Sequence, residues 1–193
     1  MNLALFDFDG TISDKDSFID LIIFIRGRVV FFLGILLLSP VLLLYKLGVV
    51  PNWKAKEIVI GLFLKGMSKE TFETECRKYS KVRLPAILRK RALEKLAWHK
   101  ARQDRIVIVT ASMDSWLKDW CECEGFDLIS TRLETREGIL TGKLATKNCY
   151  GMEKVRRIME KYSLADFEEV YAYGDNVKDK EMLSLANVDD WQA

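Results

Sequence analysis

The stretch LALFDFDGT, Leu3–Thr11, puts four apolar residues directly ahead of two aspartates and a glycine. A short apolar run stopped in this way reads as a buried strand, Leu3–Gly10, ending in a glycine turn. Three later runs have the same character: RIVIVT (Arg105–Thr110), Phe126–Ser130 and EVYAY (Glu169–Tyr173). The β-branched run in RIVIVT suits a central parallel strand, buried on both faces. Helical segments from about Ser115 and over Tyr150–Tyr162 fall between these runs. Strands alternating with helices predict an α/β fold with a doubly wound parallel sheet.

Between Ser17 and about Pro85 no strand pattern occurs, so this region is expected to be a helical insertion after the first strand. The expected division is a catalytic core of residues 1–14 and 86–193 and a helical cap of residues 15–85. Ser68 is a candidate N-cap for a helix opening with Thr71 and Phe72. Leu84–Lys100, with Leu88, Ala92, Leu96 and His99 on one face, predicts a single amphipathic helix, and TREGILT (Thr135–Thr141) a turn or hairpin around Gly138. Only Met1 and Asn2 precede the first apolar run, which argues against a signal peptide. After MLSLANVDDWQA no room is left for another strand and helix, so the sheet is expected to be small or the chain trimmed.

A formal net charge of +2 gives no argument for nucleic acid as a partner. The four cysteines, Cys76, Cys121, Cys123 and Cys149, and the one histidine form neither a zinc pattern nor a disulfide framework. Reduced thiols in a cytoplasmic setting are expected.

Ligand sites in such sheets lie beyond the carboxyl ends of the strands. The first strand ends in Asp7, Asp9, Gly10 and Thr11, the second in Thr110 and Ser112, and the fourth in Gly174, Asp175 and Asn176, with Asp179 beyond. Lys154 lies near the start of the preceding helix. Several carboxylates in one cleft repel unless a cation joins them, and an all-oxygen set suits Mg2+. Asp7 could serve as nucleophile toward phosphorus, with Lys154 neutralising the transferring oxygens and Thr110 and Ser112 holding the others. Asp9 could protonate the leaving oxygen and then activate water, and Asp179 could orient the metal shell or Lys154.

DFDGT, VTAS (Val109–Ser112), Lys154 and GDNVKD (Gly174–Asp179) resemble the four motifs of the haloacid dehalogenase superfamily of phosphatases. The resemblance implies a Rossmann-like core, an aspartyl-phosphate mechanism with Asp7 as nucleophile and Asp9 as acid/base, and a phosphorylated substrate. It further implies phosphate binding by Thr110 and Lys154. Mg2+ would be held by Asp7, Asp175 and the backbone carbonyl of Asp9, supported by Asp179 and Asn176. Asp9 favours phosphatase over dehalogenase. Thr131–Val155 is similar to the branch containing phosphoserine phosphatase, and the long apolar cap to the phosphatidylglycerophosphatase C family of membrane phospholipid synthesis.

That cap contains VVFFLGILLLSPVLLLYKLGVV, Val29–Val50, uncharged from Val29 to Tyr45. A single crossing there would put Asp7 on one side of a bilayer and Thr110, Lys154 and Asp175 on the other. Phe18–Tyr45, with Asp20, Arg26 and Arg28 inside, is too short for two spans. Two readings stand. In one, cap helices lie on the cytoplasmic face of the inner membrane, Arg26, Arg28, Lys46, Lys54 and Lys56 meeting anionic headgroups, and the substrate is a lipid phosphate such as phosphatidylglycerophosphate. In the other, the helices pack inward and the substrate is a small soluble monoester such as phosphoserine. The latter needs charged partners for an ammonium and a carboxylate, for which Glu57, Arg77 and Arg83 are candidates. A non-catalytic interaction module is a third reading, opposed by the full set of catalytic groups.

Overall fold

Apolar β-branched runs become the strands of a parallel sheet. The computed structural model describes residues 1–175 and 179–188. Its strands are β1 (Leu3–Phe6), β2 (Arg105–Met113), β3 (Asp127–Thr131), the hairpin pair β4 (Leu133–Arg136) and β5 (Ile139–Leu144), and β6 (Val170–Tyr173). The main sheet has the order β3-β2-β1-β6, all parallel; β4 and β5 pair antiparallel around the turn at Gly138. β1 is buried throughout, with Phe6 level with Ile108 on one side and Tyr173 on the other.

The insertion after β1 is helical, as its lack of strand patterning predicts: α1 (Ser17–Arg26), α2 (Arg28–Lys46), α3 (Asn52–Phe63) and α4 (Lys69–Val82). Asp16 caps α1 by accepting from the Ile19 N–H, and Ser68 caps α4 by accepting from Thr71. Gly27, at φ +80°, separates α1 from α2. Pro40 lies inside α2 and cannot donate to the Leu36 carbonyl; the Ser39 hydroxyl donates to that carbonyl instead, at 2.8 Å. Asp20, the one acid within the apolar run, is buried. It accepts two hydrogen bonds from Arg83 at 2.9 Å and one from the Tyr79 hydroxyl, which ties α1 to α4. The β4–β5 hairpin joins this layer through backbone bonds from Lys69 to Gly138 and from Gly66 to Leu140.

The remaining helices are α5 (Lys90–Ala101), α6 (Asp114–Glu124), α7 (Met152–Lys161) and α8 (Lys180–Leu183). Strand periodicity divides the core. Ala4, Phe6, Ile108 and Tyr173 face a cluster with Leu96 of α5 and Trp116 of α6, whereas Leu3, Leu5, Val109 and Ala172 face Ile158 of α7 and Met182 of α8. The lone histidine is structural: buried His99 bonds the Asp104 carboxylate at 2.8 Å and the Tyr173 hydroxyl at 2.9 Å. The cysteines are free thiols, Cys121 buried and Cys123 exposed.

The single helix expected over Leu84–Lys100 is broken. Leu84–Ile87 forms a 3-10 turn with Pro85 at its start, Leu88 is extended, and α5 begins only at Lys90. Backbone pairing with the turn after β1 prevails over helical periodicity here: the Arg89 N–H bonds Ile12, and Leu88 bridges Ser13.

α2 packs on α3 along a narrow seam. Phe31 stacks on Phe63 at 5.8 Å, and a Cβ placed on Gly34 would lie 2.3 Å from the Phe63 ring. Gly34→Leu is therefore expected to push α2 off α3 and destabilise the fold by about 1–3 kcal/mol, read as a lowered urea midpoint.

Candidate active site

The carboxyl ends of β1 and β6 meet at a buried ammonium. The Asp7 N–H is anchored by the Tyr173 carbonyl at 2.8 Å, which fixes the aspartate at the edge of the sheet. Lys154 and Ile158 share the inward face of α7, so the lysine chain runs into the core. Its Nζ donates to Asp7 Oδ1 at 2.5 Å and to Asp179 Oδ1 at 2.6 Å. Oxygens of Asp7, Asp175 and Asp179 lie within 4.8 Å of one another, Asp175 exposed and the other two buried. Two glycines make room for this crowding. A Cβ on Gly10 would fall 2.3 Å from Asp175 Oδ2, and one on Gly174 would fall 2.6 Å from the Asp179 Cβ.

Asp9 is held apart from that cluster. Its Oδ1 accepts from the Ser17 N–H at 2.7 Å, and its Oδ2 accepts from the Ser112 hydroxyl at 2.5 Å. Trp116 Nε1 donates to the Ser17 hydroxyl at 3.1 Å. Ser17 opens α1, so the second aspartate is tied to the start of the helical insertion. The Ser112 hydroxyl donates to Asp9, and Ser112 lines the same cavity as Asp7 and Lys154. Thr110 accepts the Ser112 N–H at 3.0 Å and lines the cavity beside Asp7. Asn176 lies outside the described residues.

Burial pushes the Asp7 carboxyl up to about 7, reinforced by Asp179 and Asp9 and opposed by Lys154. Burial also raises Asp9, followed by the charge of Asp16; the bonds from Ser112 and Ser17 work the other way. For Lys154, burial would lower the ammonium, but Asp7 and Asp179 outweigh it and hold the group above its ordinary value. The Asp7–Asp175–Asp179 set offers oxygens alone, with a partly solvated edge at Asp175. That chemistry fits a hard divalent cation, which would relieve the repulsion among the carboxylates.

The catalytic cavity, about 150 Å³, is roofed by residues of the insertion: Asp16, Phe18, Asn52 and Lys56. Lys56, one of the cations expected at headgroups, instead donates to the Ala111 carbonyl at 2.8 Å and to Asn148 Oδ1 at 3.3 Å. Asp16 and Lys56 are the site residues the sequence reading missed. Asp16 carries a visible helix-cap signal, but nothing in α3 distinguishes Lys56 from Lys54. The three charges considered for a substrate headgroup lie elsewhere: Arg83 is on Asp20, Glu57 accepts the Leu144 N–H, and Arg77 lines a groove between α4 and α6.

The family model of haloacid dehalogenase-like hydrolases matches residues 4–184. The chain belongs to this family. Protein CicA of Caulobacter vibrioides is 35% identical over 187 residues, 96% of this chain and 83% of that protein. A Bordetella pertussis protein of unknown function superposes with a TM-score of 0.82 at 25% identity, over 96% of this chain and 86% of that one. A probable phosphoserine phosphatase from Vibrio cholerae shares the fold, with a TM-score of 0.68 at 18% identity, over 96% and 54% of the two chains. The architecture is thus that of a hydrolase of this family.

Because Gly10 sits at φ +91° against Asp175, Gly10→Ala should displace that carboxylate. The expected outcome is at least a tenfold rise in the divalent-cation concentration needed to raise Tm, followed by thermal unfolding during a metal titration.

Proposed function

We propose that the chain is a magnesium-dependent phosphomonoester hydrolase working through an aspartyl-phosphate on Asp7. The observation that carries this reading is the buried Lys154 ammonium, bonded to Asp7 and Asp179 with Asp175 alongside and Asp9 two residues from Asp7. Asp7, Asp175 and the Asp9 carbonyl would hold Mg2+, which supplies Lewis-acid stabilisation of the phosphoryl oxygens when bound. Asp7 attacks phosphorus through a carboxylate oxygen. Asp9, kept protonatable by burial, gives its proton to the departing alcohol oxygen. The same carboxylate then takes a proton from the water that opens the acyl phosphate and frees Asp7. Lys154 and Thr110 contact the transferring group, while Ser112 and Ser17 orient Asp9. In this reading residues 1–14 and 86–193 form the catalytic core and residues 15–85 the cap.

The substrate favoured is a small soluble monoester whose head carries both charges, phosphoserine being the simplest. Asp16 offers a carboxylate to an ammonium, and Lys56 offers an ammonium to a carboxylate, within a cavity of modest size. The fold likeness to the Vibrio cholerae protein supports this choice.

A lipid phosphate such as phosphatidylglycerophosphate is the second reading, and one observation favours it. α2 is long and apolar enough to cross a membrane, yet it is only 17% buried. Leu33, Leu36 and Leu37 are 63%, 70% and 69% exposed, and Val29, Leu43 and Leu47 continue the stripe. From Leu21 to Lys56 the chain has five basic residues, Arg26, Arg28, Lys46, Lys54 and Lys56, and no acid. A helix of this kind suits peripheral seating on the anionic cytoplasmic face of the inner membrane, as the similarity to the phosphatidylglycerophosphatase C family implies.

Phosphate release should depend on Mg2+, stop with EDTA, and be faster from phosphoserine than from phosphatidylglycerophosphate in detergent; the reverse order selects the lipid reading. Asp7→Asn should lower release roughly a thousandfold or more and abolish acid-stable protein phosphorylation. Sedimentation with vesicles of roughly one-third anionic lipid reads the membrane component: the protein pellets, and Leu36→Glu with Leu37→Glu keeps it in the supernatant.

A further inference from the structure

Beside the catalytic cavity lies a second one of about 600 Å³, and the two share Asn52 and Tyr150 in their linings. Its other walls include Trp53 at the start of α3, Leu144 at the end of β5, and Thr146. A cavity of this size is in the range that buries small organic ligands.

Four of its polar side chains, those of Asn52, Asn148, Glu57 and Glu153, are already engaged, and Lys147 adds a cation to the lining. Asn52 Oδ1 accepts from Asn148 Nδ2 at 2.6 Å, Asn52 Nδ2 donates to the Tyr45 hydroxyl at 3.1 Å, and Asn148 Oδ1 accepts from Thr131 at 3.2 Å. The Glu57 carboxylate takes the Leu144 N–H at 3.2 Å and lies 3.5 Å from Lys54. Glu153 accepts from Arg156 and Arg157 at 2.6–2.9 Å. What these walls present to an occupant is the Trp53 and Tyr150 rings and the Leu144 side chain, with the Lys147 cation beside them.

We infer that this second cavity is the leaving-group subsite of the catalytic centre, receiving the apolar or aromatic body of a phosphorylated alcohol. The inference rests on the phosphatase reading and narrows its substrate. Asp16 and Lys56 meet charged groups close to the ester, and the carbon body passes the Asn52–Tyr150 rim to lie against Trp53. Among the soluble monoesters favoured above, the subsite selects those whose charged head carries an apolar or aromatic body, so phosphoserine would be its smallest and weakest member. The occupant follows from continuity: a phosphoryl group on Asp7 places the rest of its ester beside the shared rim.

The test compares ethyl, hexyl and 1-naphthyl phosphate. Hexyl and naphthyl phosphate should exceed ethyl phosphate in kcat/KM by about tenfold or more, carried by KM. Trp53→Ala, at a half-exposed position that the core does not need, should bring the hexyl-to-ethyl ratio close to one. Equal kcat/KM for the three esters overturns the subsite, as does a Trp53→Ala variant that slows all of them by the same factor. Calorimetry on Asp7→Asn gives a readout without turnover: hexyl phosphate binding about tenfold more tightly than ethyl phosphate supports the subsite, and equal binding overturns it. Phosphate release from none of the esters overturns the phosphatase reading, while the binding ratio still decides what the cavity accepts.

Discussion

Everything at the catalytic end of this fold is arranged around one buried lysine. Two carboxylates from different parts of the chain, Asp7 after β1 and Asp179 before α8, point at the Lys154 ammonium from within 2.6 Å. Without that charge, two like charges would face each other in a medium that screens them poorly. Removing one partner from a buried ion pair is worth about 3–5 kcal/mol of destabilisation. The lysine therefore makes the acidic cluster compatible with a folded core. It leaves Asp175 on the exposed side, where it completes with Asp7 and Asp179 an oxygen set that a divalent cation could join. The two glycines at the strand ends serve the same arrangement, since a methyl at either would occupy the space of a carboxylate.

The parts of this architecture legible in the sequence are those encoded by neighbouring residues. β1, β2 and β6 could be found from their apolar runs, but not their ends: β1 stops at Phe6, short of the expected Gly10, and β2 continues past Thr110 through Ser112 to Met113. Lys154 could be picked out because its motif follows the hairpin and opens a helix. Ser112 shows the limit: its bond to Asp9, 103 residues away, exists only because β2 packs beside β1. Lys56 shows the same limit more sharply. Lys54 and Lys56 are two apart on one helix, and the direction each takes depends on how α3 sits over β2. The break at Leu88 was hidden for the opposite reason, because helical periodicity was present and a pairing with Ser13 overrode it.

α2 poses the remaining physical question of the fold. A helix apolar on every side can be buried or left open, and its sequence is the same in either case. Here Phe31, Gly34, Ile35 and Leu38 face protein, Tyr45 accepts from Asn52, and the opposite stripe faces outward. Each large apolar side chain left in water forgoes about 1.5–3 kcal/mol of burial. The core does not require those leucines, since polar residues at the same positions would leave the α2–α3 seam intact.

The apolar character also runs in one direction along the chain. It extends from the exposed stripe of α2, through the short turn ending at Pro51, to Trp53, whose ring walls the second cavity, and stops at Lys56, whose ammonium reaches the catalytic one. A single stretch of fewer than thirty residues thus carries an outward greasy face, an apolar cavity wall and a cation at the reaction centre, in that order. That gradient, apolar far from Asp7 and charged next to it, is what the monoester inferred above, with its charged head and apolar body, would require.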